Sequence, residues 1–228
     1  MNVTKIYAVE ISGACNLTST CSWCPMYTGD SRVINRPRGF MTEEVLERAL
    51  YWVRSLEKPD ALALHVFGEP LLHKNFIPFA KKFSEITPIT MSTNGLLIDD
   101  EKAKELSQVK WSWISVSPWD EVAKARSIEA LSKNGIATMM PSGVLHNWGG
   151  QSVTGGEIPS TGYCGFLQDG LAVIRWNGDI ASCCISDQQD AVIGHVNDEP
   201  GTVKQKYHST CEKCHHRPKD SGDVSSTS

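Results

Sequence analysis

The chain has no apolar run near the roughly 18 residues that would mark a bilayer-crossing helix, and its first ten residues, MNVTKIYAVE, lack the basic start and apolar core of a signal peptide. A membrane location is disfavoured, and the cytoplasm is expected. A strong charge of one sign is missing too. Against 26 Asp and Glu stand 22 Lys and Arg, a net charge of -4, and the pI is about 6.0, so there is no general field for a polyanion. Only Lys204, Lys206, Lys213, Arg217 and Lys219 make the C-terminal part locally basic. Internal repeats are absent. Cysteine is absent from the 139 residues between Cys24 and Cys164.

The 228 residues, 40% of them hydrophobic and 21% charged, suffice for one domain with a sizeable core and a small appendage. Eight cysteines without a secretion signal point to metal or redox chemistry rather than to structural disulfides. They form two sets: Cys15, Cys21 and Cys24 near the start, and Cys164, Cys183, Cys184, Cys211 and Cys214 in the last third. Two separate sites are expected.

Between residue 5 and about residue 140, short apolar runs alternate with amphipathic segments, the pattern of a parallel sheet built from βα units. KIYAVEIS, ALALHVF, ITPITMSTNG, WSWISVS and IATMMP read as five strands. MTEEVLERALYWVRSLE, opened by Thr42, has apolar residues at helical spacing; NFIPFAKKFSEI, DDEKAKELSQV and DEVAKARSIEALSKNG, which closes on Asn134-Gly135, read as the other helices. Residues 142–163 break this rhythm and read as a Gly- and Ser-rich connection. LAVIRW and DIASC flank Asn177-Gly178 and read as a hairpin. Residues 220–228 are polar and expected to be disordered.

Three thiolates leave one iron of a four-iron cluster without a protein ligand, and an open iron can bind a small molecule, whereas a fourth ligand closes the site. A zinc site completed by a remote histidine is the alternative for Cys15, Cys21 and Cys24. Their loop follows the first strand at its C-terminal end, where βα barrels and open α/β sheets place ligands. The next three strands run into FGEPLLH, STNG and SVSPWD.

On these motifs, in this order, nearly the whole chain resembles a radical S-adenosylmethionine (SAM) enzyme. The resemblance implies an α/β fold, a partial βα barrel of about five parallel strands, with Cys15, Cys21 and Cys24 holding a 4Fe-4S cluster that binds SAM. Reductive cleavage would give methionine and a 5'-deoxyadenosyl radical that takes hydrogen from the substrate. Trp23 would pack near the adenine, and Gly68, Glu69 and Pro70 match the segment that receives the SAM amino group. Ser92, Asn94, Ser115 and Ser117 are candidates for its carboxylate and ribose. Two features depart from the family pattern: five residues rather than three separate Cys15 from Cys21, and Phe67 stands where the family has glycine.

The second set resembles the twitch subdomain, a shortened relative of the SPASM domain, in which a hairpin and a following helix hold an auxiliary 4Fe-4S cluster. Cys164, Cys183, Cys211 and Cys214 would saturate it; Cys183 is preferred over Cys184 because adjacent strand residues point to opposite faces. Zinc also accepts four thiolates, and His215 or His216 could replace one of them. The expected organisation is a radical SAM core over 1–141, the connection 142–163, the auxiliary subdomain 164–219 and the tail 220–228. The layout is similar to that of a twitch dehydrogenase acting on an amino-cyclitol, in which a base takes the hydroxyl proton and the auxiliary cluster accepts an electron.

His146 is the candidate general base, its ordinary pKa lying near neutrality. Arg175 is expected to face water, His65 to be buried and hydrogen-bonded, and Trp111 and Trp113 to belong to the core. A small molecule is the favoured substrate, with a reductant such as flavodoxin or ferredoxin as partner and no membrane. Alternatives are a nucleotide, DNA base or peptide substrate, or a non-enzymatic zinc-stabilised binding module.

Overall fold

The structure is a computed structural model that describes residues 1–26, 37–117, 120–139, 147–152 and 161–217. The candidate base His146, Lys219 and the tail 220–228 lie outside the described residues.

β1 (Lys5–Val9), β2 (Leu62–Ala63), β3 (Ile89–Thr93), β4 (Trp111–Val116) and β5 (Thr138–Met139) alternate with α1 (Glu43–Ser55), α2 (Phe76–Ser84), α3 (Asp100–Leu106) and α4 (Glu121–Lys133). The helices start where their sequence supplies an acceptor for a free amide. Thr42 Oγ1 accepts from Val45 N (3.3 Å), Asp99 from Lys102 N (2.7 Å) and Asp120 from Ala123 N (2.8 Å). α1 buries Leu46, Ala49, Leu50, Trp52 and Val53 against the sheet, and α4 ends at Asn134, followed by Gly135 at φ 72°.

Downstream lie α5 (Gly165–Asp169), β6 (Leu171–Ile174), β7 (Asp179–Ala181) and β8 (Val192–His195). The sheet order is β5-β4-β3-β2-β1-β6-β7-β8. Neighbours from β5 through β6 are parallel, and β7 and β8 are antiparallel additions. The sheet is open, the α/β partial barrel read from the sequence. It also runs across the expected boundary at 164: β6 pairs in parallel with β1, so the hairpin continues the barrel wall.

Several local expectations differ. β2 keeps two residues of ALALHVF, because Ser92 N, which a longer strand would pair through backbone, donates to His65 Nδ1 at 3.0 Å. Arg175 does not face water. It is 3% exposed, and its guanidinium donates to the carbonyls of Ser186 (3.1 Å) and Gln188 (3.2 Å), backbone acceptors delivered by the chain beyond β7. Among the described residues the hairpin is followed by β8 and a 3₁₀ turn, Ser209–Lys213, rather than by an α-helix. Trp111 packs on the main core and stacks on Phe76, centroids 6.0 Å apart.

That core lies between sheet and helices. On the other face Ala8, Ala63, Val173 and Ala181 form a small cluster with Phe166 and Cys184. No helix among the described residues is long and apolar enough to cross a membrane.

Candidate cluster and cofactor site

The first cysteine loop is closed at its neck by a short antiparallel contact. Met41 N donates to Ile11 O (3.0 Å) and Gly13 N to Gly39 O (2.9 Å). Trp176, from the β6–β7 turn, fills the space beside both glycines: a Cβ on Gly13 would stand 2.2 Å from its indole, and one on Gly39 2.5 Å. Its Nε1 donates to Pro37 O at 3.3 Å. Both ends of the loop therefore rest on a side chain supplied more than 130 residues later.

Within the loop, Cys21 N donates to Leu17 O (2.8 Å) and Cys24 N to Cys21 O (3.1 Å). Amides also face sulfur, Leu17 N to Cys15 Sγ and Met26 N to Cys24 Sγ, both at 3.4 Å, which favours the thiolate forms. The Cys24 thiol holds Cys21 below the ordinary thiol pKa, whereas burial pushes Cys15 up. Arg38, which sequence reasoning missed, donates to Met26 O (3.2 Å) and places positive charge near Cys15 and Cys24.

The ends of β2 and β3 grip this loop. Gly68 touches Ser12 so closely that a Cβ would lie 1.9 Å from its carbonyl oxygen, and Glu69 N donates to Ala14 O at 2.8 Å. The buried Glu69 carboxylate accepts from Leu71 N (3.1 Å), Thr93 Oγ1 (2.8 Å) and Asn94 N (2.8 Å). Burial raises its pKa, and the three donors oppose that rise. Asn94 Nδ2 reaches the loop at Asn16 Oδ1 (2.7 Å). Thr93 and Asn16 carried no signal beyond their neighbours in the sequence.

A pocket beside this contact is lined by Leu17, Thr20, Cys21, Asn94, Leu96 and Asp120. The structure thus brings Cys21 and Asn94 together. Ser92 and Ser115 are register partners on β3 and β4, and Ser117 N donates to Thr93 O (2.9 Å), but none of the three lines this pocket. Trp23 packs on Trp148 (centroids 4.9 Å apart), which also meets Phe67 (5.3 Å), so the three rings form one aromatic group.

At the other end of the sheet, Cys164, Cys183, Cys211 and Cys214 line one pocket, and Cys184 is not among its lining residues. Strand alternation does not separate Cys183 from Cys184, because β7 ends at Ala181. Burial pushes Cys211 up to about 12 and Cys214 up to about 11, and the neighbouring thiols add to both rises. A hydrogen bond with Cys184, then burial, raises Cys183 well above the ordinary thiol value. The turn at 147–152 joins the two regions: Trp148 meets Trp23, while Gly149 packs on Thr210 and Gly150 on Lys213.

All eight cysteines are free thiols. Among the described residues no three His, Cys, Asp or Glu side chains are grouped to share one metal ion. A four-iron cluster takes each thiolate on a different iron, and in chemistry and number the two donor sets fit such clusters, one open and one saturated.

The family model described as Radical SAM superfamily matches residues 9–118. No curated protein sequence matches the chain. Among solved structures, the chain is similar to BtrN in complex with AdoMet and 2-DOIA, with a TM-score of 0.66 and 23% identity over 86% of this chain and 80% of that one. It is also similar to native anSMEcpe with bound AdoMet, with a TM-score of 0.62 and 16% identity over 94% and 91%. The matched segment runs from the end of β1 to just beyond β4 and contains all three clustered cysteines, Gly68-Glu69-Pro70 and Asn94. The chain therefore carries a Radical SAM superfamily domain, set in an open α/β partial barrel.

Proposed function

We propose that the protein is a radical SAM oxidoreductase acting on a small hydroxylated molecule, with a second, electron-accepting 4Fe-4S cluster. The observation that carries the reading is the single pocket lined by Cys164, Cys183, Cys211 and Cys214, because four thiolates saturate a cluster and leave it free to pass an electron. That BtrN is described in complex with 2-DOIA beside AdoMet supports a small-molecule substrate.

When bound, the first cluster supplies the electron that cleaves SAM, and the second takes up the electron left on the substrate. Cys15, Cys21 and Cys24 would hold the first, with the fourth corner open to SAM. Glu69, fixed by three donors, orients the chain segment beside that corner, and the pocket between Cys21 and Asp120 would take part of SAM. Trp23, Trp148 and Phe67 keep water from the space next to the loop. His146 is our candidate for accepting the substrate hydroxyl proton. The enzyme would work in the cytoplasm with a flavodoxin- or ferredoxin-like reductant.

The test is iron, sulfide and zinc content after anaerobic reconstitution, with 5'-deoxyadenosine production from SAM, for the native chain and the Cys15/Cys21/Cys24→Ala chain. About eight irons natively and about four in the variant, with cleavage lost, support the reading. About four irons plus one zinc natively would remove the electron acceptor; zinc alone without cleavage would overturn the enzyme assignment.

A further inference from the structure

The pocket around the four C-terminal cysteines has two polar side-chain atoms with nothing to bind. Ser182 is 1% exposed and His208 4% exposed; both line the pocket, and neither Ser182 Oγ nor His208 Nδ1 has a hydrogen-bond partner among the described residues. A buried polar group without a partner is destabilising. Two of them at one thiol-rich pocket call for an acceptor located there.

Their backbones are fixed. Ser182 N donates to Ala191 O at 2.9 Å, which holds the residue next to Cys183. His208 accepts from Cys211 N through its carbonyl at 2.8 Å, so the turn that presents Cys211 also sets the imidazole. The His208 side chain already makes a hydrogen bond with the Cys183 thiol, while its Nδ1 has no partner among the described residues. Neither residue had a motif to reveal it: one is a serine beside a cysteine pair, the other a histidine ahead of a CxxC.

We infer that Ser182 and His208 donate hydrogen bonds to sulfur atoms of the group held by Cys164, Cys183, Cys211 and Cys214, and thereby raise its reduction potential. The inference rests on the auxiliary-cluster reading above. A cluster ligated by four thiolates gains another negative charge on reduction. Donors aimed at its sulfurs stabilise the reduced form more than the oxidised form, and hydrogen bonds to sulfur are among the levers that set such potentials. A higher potential suits an electron acceptor. Both are positioning and tuning residues rather than ligands, since four thiolates already fill the corners.

The experiment uses the full-length Cys15/Cys21/Cys24→Ala chain, in which only the second site can load, and follows its reduction by EPR at controlled potential. His208→Phe removes the ring N–H, Ser182→Ala removes the hydroxyl, and His208→Gln keeps a donor. With iron content unchanged, His208→Phe should lower the ratio of reduced to oxidised cluster at least tenfold at a fixed potential, about 59 mV for a one-electron couple. Ser182→Ala should shift it in the same direction, and His208→Gln should recover part of the loss. A loaded cluster with the same potential in His208→Phe and Ser182→Ala overturns the inference while leaving the auxiliary cluster standing. If His208→Phe fails to load, the directions of the Ser182→Ala and His208→Gln shifts decide. Absence of iron from the parent chain overturns the auxiliary-cluster reading, and this inference with it.

Discussion

Gly68 packs on the backbone of Ser12 at a distance no side chain can occupy: a Cβ there would stand 1.9 Å from the Ser12 carbonyl oxygen and 2.8 Å from that of Ala14. Both obstacles are backbone atoms. Gly68→Ala should force the β2 end off the cysteine loop and break the Glu69 N to Ala14 O bond. Reconstituted protein is expected to carry about four fewer irons per chain, with SAM cleavage lost in parallel. Gly135→Ala, strained at φ 72° but with nothing within 4 Å of the added Cβ, should keep its iron.

Thr93 supplies one of three donors to the buried Glu69 carboxylate. Thr93→Val removes it and drives an already raised pKa higher. A carboxyl group whose folded pKa exceeds its unfolded value binds more protons when folded, so it loses stability as pH rises through the folded value. The variant should therefore be less stable than the native chain by about 1–3 kcal/mol at pH 8, and the gap should narrow toward pH 5. Thermal unfolding of the iron-loaded proteins at the two pH values measures this; equal gaps would mean that Glu69 does not titrate between pH 5 and pH 8.

His65 is held neutral, because its Nδ1 accepts from Ser92 N and burial lowers its pKa to about 4. The folded chain then binds fewer protons than the unfolded chain as pH falls below the ordinary histidine value near 6.5, and stability falls with it until about pH 4. Between pH 7.5 and 5.5 the loss should be about 1 kcal/mol. His65→Asn, which does not titrate, should show a flatter dependence of Tm on pH over that window.

Trp148 has φ 52°, a left-handed conformation that costs a side-chain-bearing residue about 1–2 kcal/mol. Trp148→Ala loses the ring contacts with Trp23 and Phe67 and keeps the strain, whereas Trp148→Gly loses the contacts and relieves it. The glycine variant should unfold at the higher temperature of the two, and both should lose iron to a chelator faster than the native chain.

Legibility in the sequence followed the range of the interactions. The βα alternation, the Thr42 start of α1 and the Asn177-Gly178 turn depend on neighbours a few residues away, and each appears where the pattern puts it. β8 has no signature in the sequence because its four residues, all half-buried, have no strong alternation, and β2 is short because a histidine ring takes the place of a backbone partner. The burial of Arg175 has no local signal, because the carbonyls that satisfy it come from a segment eleven to thirteen residues further on.

The sequence by itself determined the chemistry on offer: three thiols in one loop, five more after residue 160, and the Gly68-Glu69-Pro70 and Ser92-Thr93-Asn94 segments in strand order. These are covalent facts of spacing and residue type. Only the tertiary structure decided which groups meet. It seated Trp176 beside Gly13 and Gly39, pointed Asn94 at Asn16, chose four of the five later cysteines for one pocket, and left Ser182 and His208 buried beside them. Each of those contacts joins segments distant in the chain, and packing of the closed fold, not local propensity, selects among the many partners a sequence allows.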